Sequence, residues 1–149
     1  MKSIIVFTVI ALLGLIAPAM PTPVQLEKAR PLIQELMADD FAALKADKKT
    51  HEAVGDAAMK LLSNAETEAA KFLLCKAAFG LYIRGKAYDK AADVLETFRE
   101  SISDLPTADL VELVQKNAKG VRGKDAPKLF AAYRSLQAKA TAEKERDKA

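Results

Sequence analysis

Cysteine, histidine and aromatic residues are scarce in this chain of 149 residues, and their scarcity limits the chemistry it can perform. The single cysteine, Cys75, excludes an internal disulfide, and with the single histidine, His51, it is too little for the clusters that hold structural zinc. There is no tryptophan, and aromatic residues make up 6% of the chain, so the core must be built mainly from alanine, leucine and valine. Alanine and leucine are strong helix formers. The composition therefore predicts an all-α fold.

The common catalytic motifs are also missing. His51 lacks the second histidine of a zinc protease motif, and its position beside Glu52 at a helix start favours an ordinary surface pair. Cys75 has no histidine near it in sequence to act as a base, and its apolar neighbours favour a small buried hydrophobic residue. Residues 120–124 resemble a phosphate-binding loop only in composition, because they follow a helix where that loop follows a strand. The sequence thus predicts no metal site, no cofactor and no enzymatic activity, and an enzyme using Cys75 or His51 is the least favoured alternative.

An apolar segment at the start of the chain is its most specific signal. Lys2 precedes an apolar run from Ile4 to Ile16, and the small residues Ala17 and Ala19 stand at the −3 and −1 positions of a cleavage site. This pattern predicts a secretory signal peptide at residues 1–19 and export to the periplasm or the extracellular space. The alternative is an uncleaved membrane anchor, since the segment is nearly long enough to span a bilayer. Contact with a membrane is expected only in that case.

A strong charge of either sign is absent as well. The formal net charge is +3, and a few basic residues between 119 and 128 are the only local excess. So small an excess does not indicate a nucleic-acid partner, which an exported protein would seldom meet.

Apolar residues recur at helical spacing over most of residues 20–138, which we interpret as one helical domain. The first helical segment, at residues 24–46, contains Pro31, which either kinks the helix or marks its true first turn. Thr50 can cap the next helix. Two more helices follow the central region, one ending at Gly120 and one opened by Pro127. Residues 139–149 are charged and lack large apolar side chains, which predicts a frayed, solvated helical tail.

The central stretch from Glu66 to Phe98 is interpreted as two helices joined by a turn at Gly85. The first helix is apolar most of the way around, which is typical of a helix packed between neighbours. Asn64 is its expected N-cap, and Gly85 is its expected end. The second helix has one apolar face and one charged face, so one side is expected to be buried.

Several residues of this stretch resemble a single tetratricopeptide (TPR) helical hairpin: Tyr82, Gly85, Tyr88-Asp-Lys-Ala91, Leu95 and Phe98. In that family, small and aromatic residues at such positions let two antiparallel helices approach closely. The match is confined to residues 66–98, the turn has one extra residue, and no second copy follows at the 34-residue period. The stretch is also similar to helical segments of exported bacterial proteins. The periodic segments of the whole chain number about six, and their short connections predict antiparallel amphipathic helices in a bundle or a short TPR-like stack.

We therefore interpret the chain as an exported, non-enzymatic module for protein–protein interaction, whose partner is another exported protein. The hairpin supplies the candidate contact surface, of which Tyr82, Tyr88 or nearby residues are expected to stay partly exposed. The candidate contact residues are Tyr82, Tyr88, Asp89, Asp93, Glu96 and Arg99. The alternative function is a carrier that holds a small apolar ligand between its helices.

Overall fold

A computed structural model describes residues 20–102 and 104–148 of the chain. The predicted signal peptide at residues 1–19 lies outside the described residues. The described part is all-helical and has no β-strand, which confirms the predicted fold class. Its seven helices are α1 (Pro23–Leu36), α2 (Ala38–Lys45), α3 (His51–Leu62), α4 (Glu68–Arg84), α5 (Tyr88–Ser101), α6 (Thr107–Asn117) and α7 (Pro127–Asp147).

The single helix predicted for residues 24–46 is in fact two helices. Thr22 and Gln25 form a capping box, in which each side chain accepts a hydrogen bond from the other residue's backbone N–H, so α1 begins at Pro23. Pro31 consequently lies inside α1 and not in its first turn. The chain leaves the helix at the fully buried Met37 and starts again as α2. This break adds one helix to the expected number.

The core is organised around α4, which packs against α1, α3, α5 and α6. Buried residues occur on several sides of α4, including Leu74, Cys75, Phe79 and Tyr82. The prediction that this helix is packed between neighbours is therefore confirmed. Its partner α5 buries one face only, as the amphipathic pattern predicts.

Helices α4 and α5 run antiparallel. The connection between them consists of residues 85–87, and far from this turn the rings of Phe72 and Phe98 meet edge to face with centroids 5.6 Å apart. Gly85 is the C-cap of α4, as predicted, but its φ of −82° is one that any residue can adopt. Lys86 takes the left-handed conformation, with φ of 58°. Gly85 lies close to α3, since a Cβ there would be 3.0 Å from the backbone nitrogen of Glu52, which is tighter than an ordinary contact.

The N-cap prediction for α4 is wrong. Thr67 occupies the cap position, and its hydroxyl accepts a hydrogen bond of 3.1 Å from the backbone N–H of Ala70. Asn64 lies three residues earlier, in the turn that follows α3. The cap of α3 by Thr50 and the start of α7 at Pro127 are both confirmed. Helix α6 ends at Asn117, and Gly120 belongs to the loop that follows.

The charged end of the chain is part of the last helix. Helix α7 continues without interruption to Asp147 and lies antiparallel to α6. At one end of the pair Gln115 donates a hydrogen bond of 3.0 Å to the hydroxyl of Tyr133. At the other end the buried Thr107 donates one of 2.9 Å from its hydroxyl to Glu143. Polar contacts therefore fix the last turns where large apolar side chains are lacking.

Candidate interaction surfaces

Tyr82 must be removed from the predicted contact surface. Its side chain is only 3% exposed, because the ring packs into the space left by Gly55 of α3. A Cβ at Gly55 would lie 2.6 Å from the Tyr82 ring, so a side chain there would collide with it. No partner can reach this ring from outside without moving α3.

The Tyr82 hydroxyl joins a charged cluster that ties α3, α4 and α5 together. Tyr82 donates a hydrogen bond of 2.7 Å to Asp56, and the Lys90 ammonium lies 3.0 and 3.1 Å from the two Asp56 oxygens and 2.9 Å from Glu52. The hydrogen bonds from Tyr82 and then Lys90 lower the pKa of Asp56. Burial and the bond to Asp56 raise the pKa of Tyr82, and the bonds to Glu52 and Asp56 raise that of Lys90. Because these groups already partner one another, the cluster is suited to holding helices and not to binding a ligand.

The other predicted contact residues share α5 but do not form one open surface. Tyr88 is half-buried and packs against the core, whereas Asp89 is exposed. Asp93 forms an ion pair of 2.7 Å with Lys128 of α7, which raises the Lys128 pKa. The remaining two residues, Glu96 and Arg99, are exposed on the same helix, and Arg99 Nη1 lies 3.8 Å from Glu96 Oε2. Part of the predicted surface is thus occupied by the chain's own last helix.

A cleft of about 260 Å³ opens between α4, α5 and α6. Apolar side chains such as Phe72 and Leu105 line it together with charged ones. Lys116 pairs with Glu112 at 2.8 Å, which lowers the pKa of Glu112. Pockets for drug-sized ligands usually measure roughly 300–1,000 Å³, so this cleft suits only a small molecule.

Helices α1 and α2 expose several large apolar side chains to solvent. Within the described residues, the large apolar side chains that stay exposed are Val24 (63%), Leu32 (52%), Leu36 (50%) and Phe41 (38%). We call these four residues the N-terminal apolar face. The sequence contains the signal for it, since the first segment has more apolar residues than one buried stripe requires. Helical spacing alone does not show which of these apolar residues are buried, so it did not predict this face.

The two candidate catalytic side chains lie on different helices. Cys75 is fully buried in α4, and this burial raises its pKa to about 12, so the thiolate needed for nucleophilic attack is suppressed. His51 is the first residue of α3 and packs near Gly85. In residues 20–102 and 104–148, no group of acidic, cysteine and histidine side chains could hold a metal ion. Nor does any helix there have the length and apolarity to cross a bilayer.

Comparison with known proteins gives no relative: no family model, no curated protein and no solved structure matches the chain.

Proposed function

We propose that the protein is an exported, non-enzymatic helical module that binds another protein through its N-terminal apolar face. The observation that carries the proposal is the imbalance of α1 and α2. In this segment only Ile33 of α1 and Met37, which lies between the two helices, are buried, and α2 buries no side chain fully. Four large apolar side chains of the two helices stay exposed. Large contiguous apolar patches on a protein surface typically mark contact sites, and Leu32 and Leu36 are neighbours on the surface of α1 because they lie four residues apart. Full burial of such a side chain contributes about 1.5–3 kcal/mol, so even partial burial of four would stabilise a complex.

Export and the interaction role have further support from the sequence. The pattern of residues 1–19 favours a secretory signal peptide, which would place the partner among exported proteins of the periplasm or the extracellular space. The TPR-like spacing of residues 66–98 favours a helical stack of the kind that presents binding surfaces. The burial of Cys75 supports a non-enzymatic role.

A carrier of a small apolar ligand is the second candidate, and the cleft beside Phe72 is the observation that favours it. The apolar part of its lining could hold a short acyl or aromatic group. Its modest volume and its charged lining make it a weaker basis than the N-terminal apolar face.

Site-specific photo-crosslinking in the native exported fraction tests the proposal. A photoreactive amino acid is introduced at Leu36 on the N-terminal apolar face, at Glu96 on α5, or at the exposed control position Lys139 on α7. A discrete protein adduct from Leu36 alone supports the proposal. An adduct from Glu96 alone moves the contact surface to α5. If no position gives an adduct, the interaction module is rejected, and native mass spectrometry for a retained ligand then tests the carrier.

A further inference from the structure

We propose that the partner of the N-terminal apolar face is a second copy of this chain, with α1 of one copy packed antiparallel to α1 of the other. The two-fold axis would pass close to Pro31 and Leu32. This inference rests on the proposed function, because it names the partner of the same face. It is argued from the arrangement of apolar and charged side chains along α1.

The exposed side of α1 carries a stripe that is apolar in the middle and charged on both flanks. Successive helical residues are rotated by about 100°, which places Val24, Lys28, Leu32 and Glu35 within an arc of about 80°. All four are exposed. Leu32 lies between Lys28 and Glu35 along the helix axis. A partner helix laid on this stripe would therefore meet an apolar centre and one charge of each sign.

The order of these charges selects the antiparallel arrangement. Lys28 and Glu35 lie at equal distances on either side of the midpoint between Pro31 and Leu32. A two-fold axis at this midpoint brings Lys28 of each copy opposite Glu35 of the other, so that two identical ion pairs flank the contact between the Leu32 side chains. A parallel pair in register would instead oppose like charges. Neither side chain forms an ion pair with another described residue of its own chain.

The same register sets what lies at the two ends of the contact, where Val24 of one copy is level with Asp39 of the other. Val24 of one copy would lie level with the start of α2 in the other, the helix on which Phe41 is exposed. Val24 and Leu32 would then lie at the contact, with Leu36 beside it. Such an isologous interface is closed after two copies, so it gives a dimer and not a filament.

Charge distinguishes a second copy from a lipid surface as the occupant. Residues 20–46 contain three basic and four acidic side chains. Helices that lie on anionic membranes carry an excess of lysine and arginine on their polar side. The balanced charge of this segment fits a surface of the same composition better than an anionic bilayer.

Reciprocal charge reversal, measured by sedimentation velocity over a concentration series of the purified protein, tests the proposal. Lys28→Glu and Glu35→Lys each place like charges in both symmetric pairs and should weaken dimerisation about tenfold or more. The double variant restores opposite charges and should recover the Kd of the parent protein to within about threefold. Leu32→Glu should abolish the dimer. Lys139→Glu, an equivalent reversal on α7, is the matched control and should change nothing, with circular dichroism confirming that every variant folds.

Three results would overturn the dimer. A parent protein that stays monomeric at every concentration excludes the dimer. The same result is expected if residues 1–19 of the chain, and not a second copy, occupy the face. A dimer insensitive to Leu32→Glu places the contact elsewhere, and a double variant as weak as the single ones excludes the antiparallel register. The proposed function fails separately: a monomer whose Leu36 still crosslinks to a different protein keeps the interaction module and rejects only the second copy.

Discussion

The Tyr82 ring packs against Gly55 of α3, at a position where only a residue without a side chain leaves enough space. Because a Cβ at position 55 would lie 2.6 Å from the Tyr82 ring, Gly55→Ala must displace the ring and strain its bond to Asp56. Overpacking of this kind costs about 1–3 kcal/mol, which exceeds the gain of about 1 kcal/mol from replacing glycine by alanine in a helix. We therefore expect a lower free energy of unfolding, measured by urea denaturation.

Gly123→Ala is the matched control for this prediction. A Cβ at Gly123 would lie 3.7 Å from the Phe130 ring, an ordinary van der Waals distance, and φ is not in the left-handed region. Its free energy of unfolding should change by less than about 1 kcal/mol. Equal losses in the two variants would contradict the assignment of a steric role to Gly55.

Cys75 is expected to be inert in the folded protein. Burial raises its pKa to about 12, which lowers the thiolate population near neutral pH by roughly three orders of magnitude relative to an ordinary cysteine. Iodoacetamide should therefore label Cys75 only as fast as the protein unfolds, and rapidly in denaturant. An exposed thiol supplied by Ser135→Cys in a Cys75→Ala background is the control and should react at once. Fast labelling of native Cys75 would revive the enzyme hypothesis.

Single residues were predictable from sequence where their neighbours in sequence decide the outcome. The apolar residues around Cys75 correctly indicated burial. Tyr82 could not be placed in the same way, because its environment is formed by Gly55 and Asp56, which are 27 and 26 residues away along the chain. A tyrosine is compatible with surface or core, and only the approach of α3 decides between them.

At the level of helices, the start of α4 gives a direct test of competing cap assignments. Thr67 makes the cap hydrogen bond to Ala70, whereas Asn64, the residue favoured by sequence, lies outside the helix. Thr67→Ala should lower the free energy of unfolding by about 1 kcal/mol, because one backbone N–H loses its partner. Asn64→Ala should leave it within about 0.5 kcal/mol of the parent value. Thermal or urea denaturation of the two variants measures both free energies of unfolding. A larger loss in Asn64→Ala than in Thr67→Ala would identify Asn64 as the cap.

The last turns of α7 should depend on one polar contact. Glu143→Ala leaves the buried hydroxyl of Thr107 without its acceptor, so residues 140–147 should exchange amide hydrogens faster than in the parent protein. Glu145→Ala removes an exposed carboxylate of the same helix and serves as the control. Hydrogen exchange followed by mass spectrometry resolves this segment. Unchanged protection in Glu143→Ala would mean that the contact with Thr107 does not hold the tail.

The existence and type of the helices were predictable, and their ends were less so. Periodicity identified the helical segments because side chains of one face must reach the core together. The break at Met37 escaped this reasoning, since the apolar spacing continues through it. So did the polar bond at the end of α7, because Glu143 accepts it from Thr107, a residue 36 positions earlier.

At the scale of the whole molecule, stability should be uneven along the chain. Helix α4 is surrounded by four other helices, whereas α1 buries only Ile33 and α2 buries no side chain fully. Segments with few buried apolar contacts open at a lower free energy than the core. The amides of residues 23–45 should therefore exchange faster than those of α4 when the protein is dilute. Hydrogen exchange measured by mass spectrometry gives this comparison within one sample, and equal protection of the two regions would contradict it.

Hydrogen exchange measured at several protein concentrations tests whether a second copy covers the N-terminal apolar face. If a second copy covers α1, dimerisation must raise the protection of residues 23–41, because every opening that disrupts this face must first separate the two copies. The size of the gain should follow the dimer population, and Leu32→Glu should remove the dependence on concentration without altering exchange in α4. No gain in residues 23–41 at concentrations where a dimer is present would place its interface away from α1.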